Sequence, residues 1–138
     1  MKIEAKTIEE FIEKCGDRKD DIIFLDNYIM SILPNIKRYL YSSKSITMLS
    51  YGEVPYKTTT YEGLFPLIGL TPQKNNISLY ITIWKDGKTL PELYGKKLGK
   101  VSVGKSCVRF KKVENLDLDI LKVALLEAHE WCKEQKNG

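Results

Sequence analysis

The chain has 138 residues, of which 43% are hydrophobic and 29% are charged, and these proportions are typical of one folded domain rather than of a disordered or repetitive chain. It contains no apolar run long enough to cross a bilayer, and residues 1–6 lack the apolar segment of a secretion signal. The three cysteines are widely spaced and odd in number, which predicts reduced thiols rather than a disulfide framework. We therefore expect a single cytoplasmic domain over residues 1–138, with no membrane partner.

The net charge of +4 is distributed unevenly along the chain. Residues 1–26 carry five basic and eight acidic groups, residues 27–112 carry fourteen and four, and residues 113–138 carry three and six, so the net charges of the three blocks are −3, +10 and −3. Concentrated positive charge favours an anionic partner if the side chains converge in space. The alternative is that lysines on loops and edge strands only keep the surface soluble and protect the edges of a sheet.

The first part of the sequence predicts two helices. Thr7 and Glu10 form a capping-box pair, and apolar residues follow at helical spacing until Gly16. A second helix with one apolar face is expected over about residues 20–33, where a proline ends or kinks it. Residues 35–40 are expected to add one or two further helical turns.

From residue 46 onward the pattern is typical of strands separated by turns. The expected strands are residues 46–51, 56–61, 64–70, 76–84 and 107–113, with turns at 52–55 and 62–63. Thr89 and Pro91 start a short helix that reaches about Tyr94, and Asp117 caps a long final helix. The order predicts an α+β domain, in which a mostly antiparallel sheet of about five strands has the N-terminal and C-terminal helices packed on it.

Residues Gly99 to Ser106 match the phosphate-loop pattern of two glycines, separated by four residues, followed by Lys and Ser. Such a loop holds phosphate only between a buried strand and the N-terminus of a helix. Here the residues after Ser106 alternate as in a strand. We therefore interpret the match as accidental and do not expect nucleoside triphosphate hydrolysis.

A more specific signal is an ordered series of short motifs between Tyr51 and Leu126. The series is Gly52 with Tyr56, Gly63, Gly69-Leu70-Thr71-Pro72-Gln73-Lys74 before Leu79-Tyr80, Leu98-Gly99-Lys100, Gly104-Lys105-Ser106-Cys107, and Asp117 before the last helix. In this series the chain resembles the YdhG-like family of small bacterial domains, also called the domain of unknown function 1801. The resemblance implies an α+β fold in which the Gly-Lys-Ser-Cys segment leads into a strand. Gln73 stands where many relatives have Arg, which weakens any anion site that relies on that residue.

The leading hypothesis is a binding protein, without catalytic residues or metal ligands, for a small anionic molecule or an acidic protein partner. The candidate ligand-binding residues are Tyr56, Lys74, Tyr80, Lys100, Lys105, Cys107 and Arg109. The basic side chains would supply charge, the tyrosines would supply walls and hydroxyl donors, and loop amides at strand ends would add donors. Single-stranded nucleic acid could use the same combination, but it is not the expected partner. A homodimer that covers the second face of the sheet is compatible with the sequence.

Two alternatives belong to other functional classes. Some members of the resembled family are similar to frataxin in fold and have been discussed as iron-handling proteins, so iron is the cofactor that the resemblance implies. An iron site would use the acidic N-terminal helices, whose carboxylates are Glu9, Glu10, Glu13, Asp17, Asp20 and Asp21. The second alternative is a thiol-dependent enzyme in which Lys105 and Arg109 activate Cys107. His129, the only histidine, is not placed to serve as its base.

Overall fold

The computed structural model describes residues 2–137, with side chains as far as Glu134, so that the two ends of the predicted domain, Met1 and Gly138, lie outside the described residues. The α-helices within that range are α1 (Ile8–Glu13), α2 (Lys19–Ile32), α3 (Leu90–Tyr94) and α4 (Leu118–Asn137). Short 3-10 turns lie at Gly16–Arg18, Gly95–Leu98 and Val113–Asn115. No described helix is both long and apolar enough to pass through a membrane.

The strands are β1 (Arg38–Ser42), β2 (Thr47–Lys57), β3 (Glu62–Pro72), β4 (Ile77–Ile81), β5 (Trp84–Lys85), β6 (Lys88–Thr89), β7 (Ser102–Val103) and β8 (Cys107–Phe110). Six of them form one antiparallel sheet in the order β1-β2-β3-β4-β8-β7, and β5 and β6 form a separate hairpin. The predicted α+β architecture is confirmed, with six strands in the main sheet in place of about five.

One face of the sheet packs against the helices and forms the core. The register places a continuous apolar surface there, and its buried members are Leu49, Tyr51, Ile68, Leu70, Ile77, Leu79, Ile81, Val108 and Phe110. The helices contribute buried side chains to the same cluster, among them Phe11 of α1, Leu25 of α2 and Leu121 of α4. Burial of this apolar area is the main force that holds the helices on the sheet.

The helix caps follow the predicted local chemistry. The Thr7 hydroxyl accepts a hydrogen bond from the Glu10 amide at 3.1 Å, and the Asp117 carboxylate accepts one from the Ile120 amide at 3.1 Å. Thr89 begins α3 with a capping box. These contacts satisfy amides at the first turns, which have no partner inside the helix.

The prediction of helical turns over residues 35–40 is wrong, because residues 35–37 are not helical and the remaining residues belong to a strand. Residues from Arg38 to Ser42 form β1, which pairs with β2. The alternation of this strand explains the difference: Arg38 bonds to α2 and Leu40 packs against the core, whereas Tyr41 packs against Phe65 on the opposite face. Pairing with a neighbouring strand outweighs the weak helical preference of such a short segment.

The predicted turn at 62–63 is wrong, because both residues belong to β3. The strand predicted over 56–61 is confirmed only for residues 56–57, and the predicted turn at 52–55 is wrong, because β2 runs without interruption to Lys57. Gly52 lies inside this strand with φ of 72°, a backbone conformation that side chains with a Cβ rarely adopt. The chain turns later, where the Thr58 hydroxyl accepts a hydrogen bond from the Tyr61 amide at 3.0 Å.

The strand predicted over residues 76–84 is confirmed for its centre, which is β4. It ends at Ile81, and Trp84 begins the separate β5–β6 hairpin. Trp84 therefore lies outside β4, the strand that contains Tyr80.

The face of the sheet away from the helices is closed at its centre. Met48, Ser50, Ser78 and Cys107 are buried there. Gly69 makes this packing possible, because a Cβ at that position would lie only 2.7 Å from the Met48 sulfur. A partner molecule is therefore not needed to cover the middle of this face.

A buried polar network joins α2 to the first two strands. The Asp26 carboxylate accepts hydrogen bonds from Arg38 Nε at 2.9 Å, from Arg38 Nη2 at 2.6 Å and from the Tyr51 hydroxyl at 2.7 Å. Burial, and then the bond to Asp26, raise the pKa of the Tyr51 phenol, so that it stays a donor. These hydrogen bonds give each of the three side chains a polar partner, which a charge needs when it is removed from water.

Candidate functional site

A groove lies beside the edge of the sheet, between the segment 95–103 and the segment 109–115. It has a volume of about 930 Å³, which is the size of a small-molecule site. Five basic side chains line it: Lys96, Lys100, Arg109, Lys111 and Lys112. Its other polar lining comes from Asn76, Ser102 and Asn115. We call this cavity the basic groove.

Two backbone pairings build the basic groove. On one side, Lys100 donates its amide to the Asn115 carbonyl at 2.8 Å, and Asp117 donates to the Leu98 carbonyl at 2.8 Å. On the other side, β7 pairs with β8. Lys111 and Lys112 lie between these two pairings and line the cavity.

Gly99 permits the first of these pairings. Its φ is 124°, and a Cβ at this position would lie 2.1 Å from the Asn115 carbonyl oxygen and 3.0 Å from the Asp117 amide nitrogen. Only glycine allows such a close approach of two backbones. This close approach fixes the backbone of the residue that precedes Lys100.

All the charged side chains that line the basic groove are positive. No aspartate or glutamate is among its lining residues, and among the side chains that the structure describes, no ion pair includes any of the five cations. Neighbouring positive charges repel one another, and a bound anion relieves that repulsion. The arrangement is suited to hold negative charge.

A second cavity, of about 380 Å³, adjoins the basic groove at the turn between β3 and β4. It is lined by Gln73, Lys74, Asn75, Asn76, Tyr80 and Arg109. Asn76 and Arg109 line both cavities, so the two are neighbours across these side chains. Arg18 contacts this turn, because its guanidinium donates a hydrogen bond to the Lys74 carbonyl at 3.3 Å. We call this cavity the turn pocket.

The structure brings some of the predicted site residues together and separates others. Lys100 and Arg109 lie in the basic groove, and Lys74 and Tyr80 lie in the turn pocket. Tyr56 and Lys105 line a different cavity, of about 320 Å³, together with Trp84, whose ring stacks on Tyr56 at 5.6 Å between centroids. Cys107 is 4% exposed and lines none of these cavities.

The predicted site residues did not include three lysines of the basic groove, Lys96, Lys111 and Lys112. The available signal was the pair of Lys-Lys doublets, 96–97 and 111–112, which flank the last hairpin. Asn76 carried no signal, because a polar residue in a turn is ordinarily solvated.

The segment that matches the phosphate-loop pattern forms the turn of the β7–β8 hairpin and leads into β8. No helix follows Ser106 directly, and the Ser106 carbonyl accepts a hydrogen bond from the Ile81 amide at 2.9 Å. The prediction that this segment enters a strand is confirmed. It therefore lacks the helix N-terminus on which a phosphate loop depends.

The environment of Cys107 opposes its activation. Burial raises the pKa of the thiol, and the opposing effects of Arg109 and of the Gly104 backbone are smaller. Burial also raises the pKa of the Cys15 thiol, to about 11. A raised pKa lowers the fraction of thiolate, which is the reactive form.

We therefore expect Cys107 to react with an alkylating reagent at neutral pH at least about 10-fold more slowly than a free thiol. The measurement is the rate of iodoacetamide labelling at Cys107, followed by peptide mass spectrometry, with urea-unfolded protein as the control for full exposure. Labelling of the native protein at the rate of free cysteine would contradict this expectation and would support the thiol-enzyme alternative.

Three of the six carboxylates proposed for an iron site have hydrogen-bond or ion-pair partners. Glu10 accepts a hydrogen bond from the Lys6 amide at 2.9 Å, Glu13 pairs with Lys19 at 2.6 Å, and Asp21 accepts from the Val113 amide at 3.2 Å. Within the described residues, the structure contains no group of three or more acidic, histidine or cysteine side chains that could hold a metal ion.

The fold and the basic groove together define an α+β protein with a cavity that is lined by cations. No family model, curated protein or solved structure matches the chain.

Proposed function

We propose that this protein binds a small anionic ligand in the basic groove and does not act on it chemically. The observation that carries the proposal is the convergence of five cationic side chains, with no carboxylate among the lining residues, in one cavity of about 930 Å³. A concave cavity of this size favours a small molecule over a flat contact with a protein partner. The raised pKa of the Cys107 thiol supports binding without covalent catalysis.

The types of cation present suit oxyanions. Arginine offers planar pairs of N–H donors that match phosphate and carboxylate, and lysine offers a compact charge. Because all five side chains in this groove belong to exposed residues, their charges stay hydrated without a ligand and their loss has little effect on folding. Binding and stability can therefore be separated by substitution.

The test is calorimetric titration with pyrophosphate and, separately, with citrate. We expect Lys100→Gln and Arg109→Gln each to weaken binding about 10-fold, since a hydrogen bond to a charged group contributes about 1.5–3 kcal/mol. The matched control is Lys44→Gln, which removes one charge from an exposed loop residue outside the cavities described above. We expect Lys44→Gln to change the affinity by no more than about twofold. All three variants should keep the melting temperature of the unmodified protein.

Two outcomes would contradict the proposal. One is the absence of binding by either anion at low ionic strength, where unscreened charges act most strongly. The other is an equal loss of affinity in Lys44→Gln and Arg109→Gln, which would show that only the net charge of the protein matters.

We also propose that the chain is a YdhG-like domain and that it acts in the cytoplasm. The α+β fold and the entry of the Gly-Lys-Ser-Cys segment into β8 support the first proposal. The three cysteines support the second, since all are buried thiols, and a reducing compartment maintains thiols.

A further inference from the structure

We propose that the ligand carries several phosphate groups in series and lies across both cavities, with one end in the basic groove and the other in the turn pocket. This inference rests on the proposed function, because it assumes that the basic groove binds an anion. It adds the number and the arrangement of the anionic groups, and therefore the chemical class of the ligand.

The lining of the turn pocket is the first argument. Each of its six lining residues carries a side-chain N–H or O–H donor, and none carries a carboxylate. Burial and the nearby Cys107 raise the pKa of Tyr80, so that its hydroxyl remains a donor at physiological pH. The amides and the phenol also carry acceptor oxygens, but the pocket contains two cations and no carboxylate, so it binds an oxyanion better than a cation.

The position of Arg109 is the second argument. It lines both cavities, and its guanidinium has five N–H donors in a planar fork. One arginine at the junction can therefore contact two adjacent phosphate groups of the same ligand.

The distribution of the lysines is the third argument. Four lysines lie in the basic groove, and Lys74 lies beyond Arg109 in the turn pocket. A single phosphate cannot neutralise charges on both sides of Arg109, because the Coulomb attraction weakens with distance and is screened by salt. A chain of phosphates places negative charge along the whole row.

The experiment measures the affinities of orthophosphate, pyrophosphate, tripolyphosphate and longer linear polyphosphates by calorimetry. We expect affinity to rise with chain length until the chain reaches the turn pocket. Lys74→Gln should lower the affinity for the long chains about 10-fold and lower that for orthophosphate by a smaller factor, because only a long chain contacts Lys74 and the lysines of the basic groove together. Tyr80→Phe should act in the same direction with a smaller loss. Lys44→Gln is again the control.

Adenosine triphosphate is compared with tripolyphosphate to distinguish the sources of such a chain. Equal affinities support a bare polyphosphate, and tighter binding of adenosine triphosphate supports a nucleoside polyphosphate. The inference is overturned if pyrophosphate and the longer chains bind equally, or if Lys74→Gln has no effect on any of them. In that case a loss of affinity in Lys100→Gln would still support the proposed function, whereas no binding by any probe would overturn both.

Discussion

Replacement of Asp26 by alanine is expected to lower the free energy of unfolding by about 3–5 kcal/mol, because it leaves the Arg38 guanidinium partly buried without its counter-charge. Asp26 is 7% exposed and binds both Arg38 and Tyr51. Its loss therefore removes three hydrogen bonds, and these bonds link α2 to the first two strands. Urea unfolding followed by circular dichroism measures the change.

A second ion pair supplies the matched control. Glu53 accepts a hydrogen bond from Lys37 at 2.8 Å, but the Lys37 side chain is 61% exposed. Exposed pairs contribute about 0–1 kcal/mol, so Glu53→Ala should have a small effect. Equal destabilisation by Asp26→Ala and Glu53→Ala would show that the Asp26 network contributes no more than a surface pair. The double variant Asp26→Ala with Arg38→Met should recover part of the stability, since it removes the orphaned charge.

Replacement of Gly99 by alanine is expected to destabilise the protein and also to weaken anion binding. The new Cβ would lie 2.1 Å from the Asn115 carbonyl oxygen, so the segment that carries Lys100 must move away from Asn115. A strained backbone conformation alone costs about 1–3 kcal/mol, and the collision adds to that cost. Unfolding in urea and titration with pyrophosphate give the two readouts.

Gly87→Ala is the control for backbone strain. Gly87 also has a positive φ, of 81°, but no atom lies within 4 Å of the position of its missing Cβ. Gly87→Ala should therefore lower the free energy of unfolding only by the cost of the strained backbone, and it should bind pyrophosphate as tightly as the unmodified protein does. If Gly99→Ala proves no more costly than Gly87→Ala and binds pyrophosphate as the unmodified protein does, the close approach at Gly99 does not build the groove.

The sequence predicted the parts of the fold that depend on local chemistry. Thr7, Thr89 and Asp117 each cap a helix, because the hydroxyl or carboxylate bonds to an amide three residues away. The alternation from Ile77 to Ile81 identified β4, because one face of that strand is fully buried. In such segments the short-range pattern and the final contacts agree.

The parts that were missed depend on pairing between distant segments. β1 is defined by its pairing with β2, and Gly52, which suggested a turn, lies within a continuous strand. The basic groove depends on contacts between Lys100 and Asn115 that no local pattern reveals. For the same reason the predicted site residues divide between cavities, since Tyr56 and Lys105 meet beside Trp84 rather than beside Arg109.

The most direct test of the central claim is a titration of ¹⁵N-labelled protein with pyrophosphate, followed by the chemical shifts of the backbone amides. We predict that the largest shifts occur in the segments 95–103 and 109–115, which line the basic groove, and that they saturate together with one dissociation constant. Amides near Tyr56 and Trp84, and those of the acidic helices α1 and α2, should show little change. Saturating shifts centred on either of those regions, with none in the basic groove, would contradict the account.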